Sequence, residues 1–164
     1  MVDAQSRSPV KSAAALVVSV LAVGIAAGVG GLSASSAAED YARLQQPSWA
    51  PPAWLFGPAW TLLYALMAIA AWLVWRTGPA TESRPALTLY AVQLLLNAAW
   101  TPLFFGLGWR GIALVEISVL WVLVVATVVA FWRRTPVAGM LMVPYLAWTT
   151  FAWSLNFAVW QLNN

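Results

Sequence analysis

Hydrophobic and polar positions along this chain fall into long blocks rather than alternating. Five apolar runs, at about 12–32, 53–75, 86–105, 111–132 and 137–160, each come near the ~20 residues that a helix needs to cross a hydrocarbon core of ~30 Å. Between them lie short connections and one longer stretch, residues 33–52. The pattern predicts an all-α membrane protein: one domain over residues 1–164, folded as a five-transmembrane-helix bundle whose neighbouring helices run antiparallel because their links are short. For the first run a secretory signal is the alternative, since Arg7 and Lys11 precede it and Ser36-Ala37-Ala38 resembles a small-residue cleavage site. Its apolar stretch exceeds the usual ~7–15 residues and its glycines suit helix packing, which favours a retained helix.

Composition narrows the chemistry. The chain is 62% hydrophobic and 8% charged, too few polar side chains to cover a soluble domain. It has no cysteine and no histidine, so disulfides, thiolate catalysis, zinc clusters and the commonest haem-iron ligand are excluded. Any site works by shape, stacking and hydrogen bonds, with no metal. Eight Lys/Arg stand against five Asp/Glu without a basic run, which argues against nucleic acid. The surplus speaks instead to topology. Arg7, Lys11, Arg76, Arg84, Arg133 and Arg134 share one face of an up-and-down bundle, and Arg43 and Arg110 the other. The N-terminus is therefore expected inside, with the C-terminus and residues 33–52 outside.

Residues 33–52 are expected to form a lid, with Tyr41, Leu44 and Trp49 as its packing groups. Pro58, Pro102 and Pro144 each remove a donor inside a helix, so a kink or a freed acceptor is expected, or at Pro58 only a fixed entry angle. Gly24 and Gly28 form a GxxxG, with Ala27 and Gly31 one step round; packing inside the bundle is the default expectation and dimerisation the alternative.

The twelve tryptophans divide by depth. Trp72, Trp75 and Trp132 fall at inner helix ends and Trp109 and Trp160 at outer ends, as an interfacial belt. Trp60, Trp100, Trp121, Trp148 and Trp153 lie deeper. At ~1.5 Å per residue, Trp60, Asn97, Ala152 and Asn156 share one level, with Tyr64 and Trp148 a turn away. Buried amides need partners, so Asn97 and Asn156 are expected to point inward, toward another helix, a ligand or, for Asn97, the backbone at Pro102. Trp49, Trp54 and Trp60 are read as a set descending from rim to interior. Glu116 is the lone acid inside a run, expected to snorkel or pair with Arg110 in a structural role.

Pro47-Ser48-Trp49-Ala50-Pro51-Pro52, then Trp54-Leu55-Phe56-Gly57-Pro58-Ala59-Trp60-Thr61-Leu62-Leu63-Tyr64, resembles the second-helix signature of the TspO/MBR family, the tryptophan-rich sensory proteins related to the animal translocator protein or peripheral-type benzodiazepine receptor. Leu96-Asn97-Ala98-Ala99-Trp100-Thr101-Pro102-Leu103-Phe104-Phe105-Gly106, Val143-Pro144-Tyr145-Leu146-Ala147-Trp148 and Leu155-Asn156-Phe157 agree with it. The resemblance implies a five-helix protein, commonly a homodimer in membrane lipid, that binds porphyrins, haem and other hydrophobic ligands under the first loop. Carried over by motif, the pocket includes Tyr41 and Pro51 from the lid, Phe56, Trp60 and Tyr64, then Asn97, Trp100 and Thr101, and Trp148 and Ala152; Asn156 joins them by depth. Asp40-Tyr41 replaces the family's Trp-Tyr, which implies a looser lid or a more polar edge. The C-terminus lacks the sterol-recognition motif of the animal relative.

Three functions follow as expectations. The first is a sensor, regulator or carrier for a flat hydrophobic ligand such as protoporphyrin IX or haem, needing no cofactor. Without His or Cys, the metal-free porphyrin fits better than axially held haem. The second, implied by the resemblance because some members of the family degrade porphyrin in light, is light-dependent porphyrin degradation, with Trp60, Trp100 and Trp148 as the oxidisable indoles. The third is a small proton-coupled exporter using Glu116. All three share a ring-walled hollow built by the second, third and fifth runs and opening under the lid toward the outer face.

Overall fold

The structure, a computed structural model, describes residues 8–33 and 37–163; Arg7 and Ser36 lie outside these, as do the surroundings of Gly31 and Ala38. Six α-helices follow in order: α1 (Pro9–Ser33), α2 (Ala37–Arg43), α3 (Phe56–Arg76), α4 (Ala80–Thr101), α5 (Arg110–Arg134) and α6 (Pro136–Leu162). A 3-10 turn at Ala53–Leu55 leads into α3, and a π-helical turn at Pro102–Gly106 extends α4. The described residues contain no strand.

Four segments are long and apolar enough to cross a membrane: Pro9–Val29, Ala53–Arg76, Ala80–Gly106 and Arg110–Arg134. α6, with 27 residues, has the length but misses on apolarity, because Tyr145, its indoles, Thr149, Thr150, Ser154 and Asn156 interrupt its aliphatic residues. The five-span expectation therefore stands at four by this measure. The long connection also differs from expectation, since residues 37–43 form a helix of their own, with Glu39 and Asp40 in the first turn and Arg43 in the last, charges that suit the helix dipole.

Local chemistry sets the breaks. Gly78 and Gly108 take φ of +74° and +66°, a region open to glycine, and turn the chain between α3 and α4 and between α4 and α5. Extended Thr135 alone joins α5 to α6, and Pro136 opens α6 where its missing N–H costs nothing. Pro58 falls in the first turn of α3, so it fixes an entry angle rather than kinking a helix. Pro102 opens the π turn, closed by the Leu107 N–H donating to the Pro102 carbonyl at 2.9 Å. Pro144 and Pro85 lie inside continuous helices, Pro85 because α4 begins six residues earlier than its apolar run.

The core lies among α3, α4, α5 and α6, where Met67, Val74, Val124, Phe131, Met142 and Tyr145 are fully buried. Phe131 stacks on Tyr90 at 5.6 Å between centroids. At one end Arg134 donates to the Thr77 carbonyl at 2.6 Å and to Glu82 at 2.9 Å, tying the α5–α6 junction to the α3–α4 turn. α1 is held more lightly. Val23 and Ala26 are buried, and Trp72 donates its indole N–H to the Ser12 carbonyl at 3.0 Å, so this tryptophan fastens α1 to α3 while the Arg76 guanidinium covers its ring at 4.6 Å. The expected packing of Gly24 and Gly28 inside the bundle is not seen: a Cβ at either would meet nothing within 4 Å.

Candidate functional site: an aromatic cavity beneath a clamped lid

One cavity of about 740 Å³ occupies the half of the bundle nearest Phe56. Ten of the eleven residues expected at a site line it: Tyr41, Phe56, Trp60, Tyr64, Asn97, Trp100, Thr101, Trp148, Ala152 and Asn156. Pro51 stands behind the wall, its carbonyl accepting from the Tyr41 hydroxyl at 3.2 Å. The hollow was expected from the second, third and fifth runs; α1 and α5 also contribute, through Val23, Gly24, Ile117 and Leu120 among others. These aliphatic and glycine positions carry no polar or aromatic mark in the sequence.

The rings form a connected wall. Phe56, Trp60 and Tyr64 recur every four residues, which puts them on one face of α3. Trp60 stacks on Tyr64 at 5.1 Å and meets Trp148 edge-on at 6.3 Å, and Phe56 meets Trp148 at 5.9 Å. Opposite them, Trp100 stacks on Phe104 at 4.8 Å, and Phe105 meets both. The π turn places this second group, since one extra residue per turn brings successive phenylalanines toward the same space. Trp54 does not continue the expected descent, being 71% exposed. Trp121 and Trp153 also face away, donating across α5 and α6 to Thr150 and Ser118 at 2.8 Å each.

Hydrogen bonds hold the amides but leave donors unused. Tyr64 donates to Asn97 Oδ1 at 2.8 Å, so Asn97 braces α4 against α3 rather than the backbone at Pro102. Trp100 donates to Asn156 Oδ1 at 3.1 Å, and Asn156 Nδ2 donates to the Arg110 carbonyl at 3.1 Å, joining α4, α6 and the start of α5. Asn97 also hydrogen-bonds the Tyr145 hydroxyl through its side chain, whereas among the described residues nothing accepts from Thr101 Oγ1 or the indole N–H groups of Trp60 and Trp148. Glu116 does not pair with Arg110 as expected: both its oxygens and Arg110 Nε are buried without a partner among the described residues. The two sit six residues apart on α5, a spacing that puts them on different faces.

The lid is fastened at both ends. Tyr41 is buried and meets Phe56 edge-on at 5.5 Å, and Gln46 Nε2 donates to the Tyr41 carbonyl. Trp49 meets Phe151 at 5.9 Å. Asn163 accepts from the Gln45 N–H and donates to the Gln45 carbonyl, both at 2.9 Å, a clamp between lid and α6 that nothing in the sequence signalled. Asn163→Ala is expected to remove both bonds and raise hydrogen exchange at residues 44–46 by roughly 30-fold, each bond contributing about 1 kcal/mol. Burial pushes the Tyr41 phenol above its ordinary value of 10.0. Neutral phenol is thus favoured in the closed lid; its contribution is complete below pH ~10 and is lost as pH rises through the raised value.

The comparisons agree with this architecture. The model of the TspO/MBR family matches residues 15–161. The translocator protein of Sus scrofa is 45% identical over 125 residues, 75% of this chain and 74% of its own. Protein CrtK of Rhodobacter capsulatus is 45% identical over 126 residues, covering 75% and 78%. Tryptophan-rich protein TspO of Archaeoglobus fulgidus is 42% identical over 149 residues, covering 91% of this chain and 95% of that relative. With helices able to cross a membrane, the three signatures on α3, α4 and α6, and a family match over nearly its whole length, the chain is a multi-pass membrane protein of the TspO/MBR family.

Proposed function

We propose that this protein binds a flat hydrophobic ligand of the tetrapyrrole class in the cavity beneath the lid, as a sensor or carrier. One observation carries the reading: a cavity of about 740 Å³ walled by aromatic rings keeps three donor groups, on Trp60, Thr101 and Trp148, without partners among the described residues. Rings supply faces for stacking, and unused donors supply hydrogen bonds to carboxylate or carbonyl acceptors. The volume lies in the range of small-molecule pockets, ~300–1,000 Å³. In this reading α6 crosses the membrane as a fifth span, and the basic end bearing Arg76, Arg84, Arg133 and Arg134 lies inside.

The test is a titration of the purified protein with protoporphyrin IX in the dark, followed by Trp emission. Saturable quenching that Trp148→Ala weakens and Trp72→Ala leaves alone supports the reading; equal weakening by both removes it. Repeating the titration under illumination separates binding from degradation, since loss of the porphyrin spectrum would assign chemistry to Trp60, Trp100 or Trp148.

Glu116 favours a second reading, proton-coupled export, because its carboxyl lies inside a span with both oxygens buried and, among the described residues, without a partner. Binding alone gives such a group no role. Glu116→Gln is expected to leave the dissociation constant within about twofold, as an isosteric neutral replacement. A vesicle assay in which Glu116→Gln abolishes pH-driven porphyrin efflux would favour export instead.

A further inference from the structure

The cavity wall is unevenly covered. Six wall residues are exposed, and all six lie on two helices: Val20, Gly24 and Ala27 on α1, and Gly57, Thr61 and Ala65 on α3. Wall residues contributed by α4, α5, α6 and the lid are buried or half-buried. Their spacings, four then three on α1 and four then four on α3, place each trio on a single helix face.

We infer that the cavity opens sideways into the bilayer through a slot between α1 and α3, so that its ligand enters from the lipid phase rather than past the lid. This rests on the reading of the cavity as a ligand site. Two features shape the slot. α1 and α3 are fastened at the far end by the Trp72–Ser12 bond, while Gly24 stands ~18 Å along α1 from Ser12. Beside Gly24, by contrast, no hydrogen bond among the described residues joins the two helices, and only Val23 and Ala26 of α1 are buried there. The rim is also suited to acyl chains, since five of its six side chains are apolar or absent and the Thr61 hydroxyl donates to the Gly57 carbonyl at 2.9 Å, leaving no unsatisfied donor toward lipid.

The lid side offers the opposite. Passage there has to break the two Asn163–Gln45 bonds and lift buried Tyr41 off Phe56, whereas the slot breaks no described hydrogen bond. Lipid entry also matches the solubility of the ligand class: a hydrophobic planar molecule is concentrated in the bilayer, at the depth where the slot lies.

The space at Gly24 makes the test clean. A Cβ there meets nothing within 4 Å, so Gly24→Leu narrows the slot without overpacking the bundle, and Ala65→Leu narrows it from α3. Stopped-flow mixing of protoporphyrin-loaded vesicles with protein reconstituted in vesicles reads both rates. Each variant is expected to slow association and dissociation together by about tenfold, because a barrier on the route acts on both rates. Asn163→Ala is expected to leave both rates unchanged. Unchanged rates in both slot variants, or acceleration by Asn163→Ala, overturn the slot while leaving the cavity as the binding site. A change in oligomeric mass with Gly24→Leu, without a change in rates, assigns this face to a second copy and overturns it too. Absence of saturable binding by the unmodified protein removes the cavity reading and the slot with it.

Discussion

Trp60→Ala is expected to weaken protoporphyrin IX binding by about 30-fold, the largest single effect on affinity at this site. Trp60 is the hub of the α3–α6 wall: it stacks on Tyr64, approaches Tyr145 at 6.2 Å and meets Trp148 edge-on. An indole face covering ~80 Å² of ligand contributes about 2 kcal/mol at ~25 cal/mol per Å², which is a factor of about 30 in affinity. Its N–H, unused by the protein, adds a hydrogen bond where the ligand supplies an acceptor. Trp60→Phe separates the two contributions, since it keeps a stacking face and loses the donor; it is expected to recover most of the affinity. Trp60 and Trp148 touch, so the double replacement is expected to lose less than the sum of the single losses, each single change having already loosened the shared wall. Quenching titrations of the parent, the three single variants and the double variant measure all of this. A Trp60→Ala protein that melts like the parent and binds protoporphyrin equally well would remove the aromatic wall from the explanation.

The parts of this architecture that were legible in the sequence are those carried by rare residue types. Phe56, Trp60 and Tyr64 announce a shared helix face by their spacing, and rise per residue places Asn97 and Asn156 at the same depth. Their bond partners, Tyr64 and Trp100, were nearby candidates at that level. Other parts rest on residues that look alike wherever they are. Val20, Gly24 and Ala27 sit in a helix apolar on every side, so no moment distinguishes the face toward the cavity from the face toward lipid. α2 carries no signature in the sequence, because a seven-residue helix is too short to show a period. The π turn follows from Pro102, yet proline signals a break and not its form. Glu116 and Arg110 are near along the chain, which leaves pairing open beside snorkelling, but nearness along a helix is not nearness in space at six residues.

Chain length alone also hid how tightly α5 and α6 are joined, and the sharpest consequence for stability falls there. Gly139→Ala is expected to lower the melting midpoint in detergent by about 4–8 °C, the opposite of the usual result for such a change. In an exposed helix interior, alanine for glycine stabilises by about 0.5–1 kcal/mol. At Gly139 the added Cβ would stand 2.6 Å from Trp132 Cε3, 2.8 Å from its Cβ and 2.9 Å from its Cα. The last of these is backbone, which no rotamer change relieves. The helices cannot part to make room, because Thr135 is the only residue between them and Arg134 is held by Thr77 and Glu82. Overpacking at such a point costs about 1–3 kcal/mol, and 1 kcal/mol moves a domain of this size by about 2–4 °C. Gly28→Ala supplies the contrast: with open space around it, it is expected to leave the midpoint unchanged or raise it by about 2 °C. Gly111→Ala falls between, since its Cβ would press at 3.2 Å on the Trp160 indole nitrogen, an atom on a side chain that can swing aside. Equal midpoints for Gly139→Ala and Gly28→Ala would mean that the α5–α6 junction yields, and that close helix approach is not what fixes the position of α6 on the cavity wall.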